Sequence, residues 1–275
     1  MIPAAFDYQR AESAEQAIAL LTEHGDEAKL LAGGHSLLPL MKLRLASPSV
    51  LIDVGRLSDL SYIRDGGDHI AIGALTRHRD LEVSDLLAAE VPILAHAAGH
   101  VGDPQVRHRG TIGGSLAHAD PASDLPAVVL ALGGTLVAQG PNGQREIAST
   151  DFYTGFLESA LEADELLTEI RVPKVAGAGW SFQKFNRRAQ DWAIVGVALV
   201  RNNGSSGVGL VNMGSTPIFA QGVVDAMTAG ASAADAAEHA ADDAEPQSDI
   251  NASVEYRRHL AKVLVRRALE EAGSS

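Results

Sequence analysis

Short apolar runs and amphipathic stripes take turns along this chain, the pattern of strands feeding helices. Ser13-Ala14-Glu15-Gln16 is a capping box, and Ala17, Ile18, Leu20 and Leu21 supply the helical stripe that follows, ended by Gly25. Ala28 to Ala32 predicts a short buried strand running into Gly33-Gly34. Leu37 to Leu45 predicts a helix, with Pro39 tolerated in its first turn. Val50 to Val54 is a compact β run of the kind found in parallel strands covered on both faces. The opening sixty residues therefore predict a βαβ-type unit.

His69 to Ala74 alternates like a strand, and helices are expected from about Arg77 to Ala89 and from Pro92 to Ala98. Ser123 is placed to cap a helix over Leu125 to Leu132 that has Pro126 early in it. Thr135 to Ala138, Arg145 to Ala148 and Leu166 to Val172 predict strands of one sheet. Small residues and glycine in Lys174 to Gly179 predict a boundary there. Beyond it, Trp180 to Phe185, Ala193 to Arg201 and Val208 to Asn212 predict three antiparallel strands, the last two joined by a turn over Asn202 to Gly207. An alanine-rich helix from roughly Ala231 to Ala241 follows. The last helix, Ser253 to Ala272, is expected to point Val254, Leu260, Val263, Leu264 and Leu269 inward and Arg257, Arg258, Lys262, Arg266 and Arg267 outward.

Of the 275 residues, 46% are hydrophobic and 21% charged, an ordinary globular balance. A formal net charge of −13 argues against a nucleic-acid footprint. No apolar run approaches a membrane span, and Met1 to Asp7 lacks a basic start and apolar core, so a cytoplasmic location is expected. The chain has no cysteine. It can therefore hold no disulfide, thiolate zinc site or all-cysteine iron–sulfur cluster, and any redox chemistry must come from an organic cofactor.

Two double glycines stand out, Ala32-Gly33-Gly34-His35-Ser36 and Thr111-Ile112-Gly113-Gly114-Ser115. Each is expected to be a turn whose free N–H groups cradle an anion, and two of them suggest one extended ligand, such as a dinucleotide diphosphate, held from both sides. No Gly-x-Gly-x-x-Gly, P-loop, Gly-x-Ser-x-Gly or His-Glu-x-x-His motif is present. His35 and His118, beside the two glycine pairs, either contact this ligand or serve local hydrogen bonds. Asp120 and Asp124 either cap the following helix or accept ligand hydroxyls. Lys184, Arg187, Arg188 and Asp191 form either a solvated strand edge or a contact for a ring system.

Ala32 to Pro39 and Thr111 to Ser115 through Asp124-Leu125-Pro126 resemble the flavin-binding loops of the FAD subunits of molybdenum hydroxylases. Phe182 to Arg188 with Asp191-Trp192-Ala193, and Tyr256 to Leu260 with Val265 to Leu269, resemble that family's later segments. The chain is most similar to members of the carbon monoxide dehydrogenase type, and also resembles the flavin domain of xanthine dehydrogenase. The resemblance implies an α+β chain: a two-lobed FAD-binding fold of the vanillyl-alcohol-oxidase type over residues 1–175, with lobes of about 1–57 and 58–175. A smaller domain with a three-stranded antiparallel sheet and helices would follow over 176–275.

The same resemblance implies site residues. Lys29, Leu30, Leu31, Ala32, Gly33, Gly34, His35, Ser36 and Leu37 would wrap the diphosphate and ribityl chain of FAD. Val101, Gly102, Val106 and Gly110 would line it, and Thr111, Ile112, Gly113, Gly114 and Ser115 would hold it from the second lobe with Ala117 and His118. Asp124 would take hydroxyl contacts, Lys184 would join them, and Trp192 is a candidate gate to the electron acceptor. No catalytic acid–base residue and no metal ligand is expected. Partners implied are an iron–sulfur small subunit and a molybdenum-cofactor large subunit, arranged as a dimer of heterotrimers, with a quinone, NAD or oxygen as acceptor. Rival readings are a stand-alone flavin oxidoreductase acting on a small molecule, for which no base is evident, and a non-enzymatic nucleotide-binding module.

Overall fold

Ser13 starts the first helix as its neighbours require: its hydroxyl accepts the N–H of Gln16 at 3.2 Å, and the Gln16 side chain accepts the N–H of Glu12 at 2.6 Å. The computed structural model describes residues 2–202 and 206–273. The first lobe runs β1 (Asp7–Arg10), α1 (Ala14–His24), β2 (Ala28–Leu31), α2 (Leu37–Leu43) and β3 (Val50–Asp53). Its three strands are parallel in the order β1-β3-β2, with Leu30 opposite Ile52. The strand β1 had no apolar signature, because it is a mostly exposed edge of polar residues. Ala17, Ile18, Leu21 and Ile52 form the small core beneath this sheet.

The second lobe adds β4 (Ile63–Asp65), β5 (His69–Gly73), α3 (His78–Glu82), α4 (Asp85–Glu90), α5 (Pro92–Gly99), α6 (Pro104–Arg109), α7 (Ile112–His118) and α8 (Asp124–Ala131). The strands β6 (Thr135–Gly140), β7 (Gly143–Ala148), the small hairpin β8 (Tyr153–Gly155) with β9 (Glu158–Ser159), and β10 (Leu166–Pro173) complete it. Five strands form an antiparallel sheet ordered β4-β5-β10-β6-β7. The single helix expected over Arg77 to Ala89 is two, because Ser84 leaves the helical conformation and caps a new start through its hydroxyl and the N–H of Leu87.

The remaining residues form β11 (Gly179–Phe185), β12 (Val195–Arg201), β13 (Gly207–Val211), β14 (Ile218–Phe219), α9 (Gln221–Thr228), α10 (Ala233–Ala237) and α11 (Val254–Gly273). Here the sheet has four strands rather than three, since the two-residue β14 pairs with β13. The turn expected over Asn202 to Gly207 includes residues outside those described. The alanine-rich helix is shorter than expected and continues as a 3-10 turn over Glu238–Ala241. Arg257 is not on the outer face of the last helix. It is 2% exposed, with its guanidinium donating to the Ile194 carbonyl and paired with Asp249 at 2.8 Å.

This sheet is covered twice. Phe182, Ala198 and Val200 join the core of the second lobe, while Val197, Leu199 and Leu210 pack with Leu264, Val265 and Ala268 of α11. Two glycines of β13 allow α8 to press its backbone onto the strand: a Cβ on Gly207 or Gly209 would fall on the carbonyl oxygen of Ala131 or Ala127. That contact fixes the start of α8 relative to β11, and both carry residues of the site described below. Gly209→Ala is expected to destabilise the protein by about 2–3 kcal/mol through overpacking, read as a lower urea midpoint at unchanged slope.

Candidate functional site

A cavity of about 630 Å³ lies where the two lobes meet the C-terminal sheet. One wall is the end of β2 and the loop after it, where Lys29, Leu30, Ala32, Gly33, Gly34, His35, Ser36 and Leu37 all line the space. Leu31 does not. It lies under the loop, where a Cβ on Gly34 would sit 3.2 Å from its Cδ1. Gly34 has φ of +77°, a left-handed conformation that glycine adopts without strain. Among the described residues, the N–H groups of Gly33, Gly34, His35 and Ser36 have no protein acceptor. Four consecutive free donors make this loop an anion cradle. The His35 ring turns back to the Gly33 carbonyl, at 3.2 Å from Nδ1.

The opposite wall carries Gly110, Thr111, Gly113, Gly114, Ser115, Ala117 and His118. It is not the second glycine turn that the sequence predicts. Gly113 and Gly114 lie inside the first turn of α7, which Thr111 caps through its hydroxyl and the N–H of Gly114 at 3.2 Å. The N–H groups of Ile112, Gly113 and Ser115 bond to Thr76, Ala74 and Thr111 carbonyls at 3.0, 2.8 and 3.0 Å. These amides are already satisfied, so the expectation of two matching nests fails for this one. Glycine is required here by contact, since a Cβ on Gly113 would lie 2.5 Å from the Ala74 Cβ. Ile112 is fully buried in the core and does not line the cavity.

The two walls touch. A Cβ on Gly33 would lie 2.9 Å from the Gly110 Cα and would strike the Arg109 carbonyl oxygen, so the loop rests directly on the backbone before α7. Arg77 stitches the junction, its guanidinium donating to the Arg109 carbonyl and to that of Gly55 at 3.4 Å.

A third side brings α8 against β11. Asp124 and Lys184 meet at 2.6 Å with side chains each only 6% exposed, and Lys184 also donates to the His100 carbonyl at 2.9 Å. Burial pushes the Asp124 carboxyl above its ordinary range and the neighbouring ammonium opposes that rise. Its Oδ1 is sealed from solvent and has no partner among the described residues. Asp120, by contrast, closes a local turn, accepting the N–H of Ala122 at 2.9 Å. Val101, Gly102 and Val106 line the cavity nearby, and Gln190, Asp191 and Trp192 close it, with Trp192 57% exposed. Arg187 and Arg188 do not line this cavity. Arg187 reaches Asn251 at 3.2 Å, and Arg188 pairs with Asp191 at 3.0 Å.

Several lining residues carry no motif that marks them along the chain. Leu161, Glu162, Ala163, Glu165, Leu166 and Leu167 arrive from a different part of the second lobe. His78 lines the cavity at 4% exposure, and its pKa is lowered to about 4, first by burial and then by His35, Arg107 and Arg77. Partial burial also lowers that of His118. Among the described residues no cluster of three or more His, Asp or Glu could hold a metal ion, and no helix is long and apolar enough to cross a membrane.

Comparison with known proteins gives consistent matches. The family described as "FAD binding domain in molybdopterin dehydrogenase" matches residues 4–175, and "CO dehydrogenase flavoprotein C-terminal domain" matches residues 180–272. The carbon monoxide dehydrogenase medium chain of Hydrogenophaga pseudoflava is 42% identical, over 99% of this chain and 98% of that one. The 6-hydroxypseudooxynicotine dehydrogenase complex subunit alpha of Paenarthrobacter nicotinovorans is 39% identical, over 99% and 96%. The solved structure of reconstituted CO dehydrogenase from Oligotropha carboxidovorans superimposes with a TM-score of 0.96 at 40% identity, covering 100% of this chain and 99% of that one.

Two measurements probe the buried charges. Lys184→Met leaves Asp124 buried without its cation and is expected to cost about 3–5 kcal/mol in urea unfolding, most of it recovered by adding Asp124→Leu. His78 binds its proton near pH 4 folded and near pH 6.5 unfolded. The unfolded state therefore holds more protons between those values, and stability falls as pH drops through that window, by up to roughly 3 kcal/mol, and is flat above it. Urea midpoints at pH 7 and pH 4.5 are expected to differ less in His78→Phe than in the parent.

Proposed function

The chain belongs to the family of FAD-binding medium subunits of molybdenum hydroxylases, and we propose that it is the electron-transfer subunit of a complex of the carbon monoxide dehydrogenase type. Its cofactor is FAD and it is an oxidoreductase subunit. Within the complex, electrons reach it from the clusters of an iron–sulfur small subunit, after a molybdenum-cofactor large subunit has oxidised the substrate. They leave to a quinone, NAD or oxygen. The assembly is a dimer of heterotrimers in the cytoplasm. Residues 1–175 form the FAD-binding domain, in lobes of about 1–57 and 58–175, and residues 176–275 the C-terminal domain. The absence of cysteine fits this division of labour, because no all-cysteine cluster can be ligated by this chain.

One observation carries the reading: among the described residues, four consecutive backbone N–H groups without a protein acceptor and the Asp124 carboxylate belong to residues that line one cavity. A dinucleotide needs both, donors for its diphosphate and an acceptor for its hydroxyls. The volume, about 630 Å³, lies in the range of cofactor sites. Gly33, Gly34, His35 and Ser36 would hold the diphosphate, and Asp124, fixed by Lys184, would accept hydroxyls. Lys29, Leu30, Ala32, Leu37, Val101, Gly102, Val106, Gly110, Thr111, Gly113, Gly114, Ser115, Ala117 and His118 would supply the remaining walls. Leu31 and Ile112 would act from beneath, by supporting the two walls. Trp192 would separate the cofactor from its oxidant. Bound FAD supplies the redox chemistry, so the protein's task is to bind, orient and shield it.

The purified chain, alone or in its complex, is expected to be yellow and to release one FAD on denaturation. Gly33→Val, which drives a side chain into the Arg109–Gly110 backbone, is expected to lose that flavin while the far-UV circular dichroism stays close to the parent's. A colourless parent that cannot be reconstituted with FAD would overturn the reading. Reduction of its flavin by a small organic substrate without partner subunits would favour a stand-alone oxidoreductase instead.

A further inference from the structure

His78 is the first residue of α3, and its backbone N–H donates to the Gly110 carbonyl at 3.0 Å. Its ring sits behind Gly110: a Cβ there would lie 2.7 Å from the imidazole Cδ2 and 2.9 Å from Nε2. Only a glycine leaves that edge of the ring open toward the cavity, which His78 lines. The two ring nitrogens differ. Nδ1 is sealed from solvent and has no partner among the described residues, whereas Nε2, equally without a protein partner, is not sealed. A neutral imidazole carries one N–H. Buried N–H groups without an acceptor are rarer than bare acceptors, so the proton belongs on Nε2, where the cavity can satisfy it.

The surroundings select what that donor meets. Arg77, beside it, and Arg107 from α6 are the cations that act on the ring. The carboxylate on its own helix, Glu82, is held by Arg79 and Arg107 at 3.1 and 3.0 Å. The Gly33 loop, with its free N–H groups, rests on Gly110 immediately in front of the ring. An environment of donors and cations rejects a cation and suits an anion.

We infer that His78 is a binding residue of this cavity, a neutral imidazole whose Nε2–H donates to a phosphoryl oxygen of the bound dinucleotide, alongside the Gly33–Ser36 amides. The inference rests on the placement of FAD in this cavity proposed above. It adds a side-chain donor to a cradle otherwise made of backbone, contributed by the second lobe, whose own helical amides are spent.

The test combines spectroscopy with binding. In the full chain labelled with ¹⁵N-histidine, long-range ¹H–¹⁵N spectra report the tautomer of each of the ten histidines, and His78→Gln identifies the His78 signals by difference. The expected result is an Nε2–H tautomer from pH 6 to 8 without FAD, with the Nε2 proton moving downfield when FAD is added. His78→Phe is expected to weaken FAD binding about tenfold or more while leaving riboflavin binding, which has no phosphate, within twofold. His78→Gln, which keeps an amide donor near the Nε2 position, is expected to stay within about threefold of the parent for FAD. An Nδ1–H tautomer, an imidazolium, unchanged FAD affinity in His78→Phe, or an equal loss for riboflavin would each overturn the inference. Should His78→Phe not fold, the parent spectra and His78→Gln still decide it. A parent chain that takes up no FAD but shows the Nε2–H tautomer overturns the cavity's assignment to FAD, and the phosphoryl ligand with it, leaving only the donor.

Discussion

The backbone contact between Gly33 and Arg109–Gly110 is the constraint on which the site depends. Side chains cannot mediate it, because there is no room for even one Cβ. Two segments nearly eighty residues apart therefore sit at main-chain distance, and Arg77 ties the second of them to Gly55. With the loop seated there, Gly34 takes a left-handed conformation, and the amides of Gly33 to Ser36 are left unpaired beside the cavity those residues line. Among the described residues these four consecutive donors have no protein acceptor, the arrangement of an anion-binding nest.

The two sides of the cavity divide the work differently from their similar sequences. The first presents donors and is held by contacts beneath it. The second spends its amides on Thr76, Ala74 and Thr111, which ties the start of α7 to the segment that follows β5. Its contribution to a ligand then falls to side chains and shape. The third side is an ion pair whose partners come from α8 and β11, elements brought together by the glycines of β13. Removing two charges from water is costly unless each is paired. Lys184 is met by both a carboxylate and a carbonyl, while Asp124 keeps one oxygen in reserve.

Much of this was legible along the chain. The capping box at Ser13, the apolar runs of β2 and β3, the pattern of β5 and the three main strands of the C-terminal sheet follow from local rules. Each depends on near neighbours alone. The misses share a cause as well. Arg257 lies on a charged stripe by periodicity, yet its guanidinium is buried against the Ile194 carbonyl and pairs with the exposed Asp249. The strand β1 is an exposed edge, and β14 has only two residues. His78 had no motif around it, since what makes it notable is a glycine thirty-two positions away.

The amino-acid order by itself determined the cofactor class and the division of labour: paired glycine segments without a nucleotide fingerprint, and no cysteine to ligate a cluster, within a chain whose motifs resemble one family along its length. Tertiary structure decided which glycines free their amides and which merely make room. It also decided which charges are buried and which histidine lines the cavity. The physical reason is that backbone satisfaction and burial depend on what other segments bring. A Gly-Gly pair reads the same whether its N–H groups face a cavity or a carbonyl from the next strand.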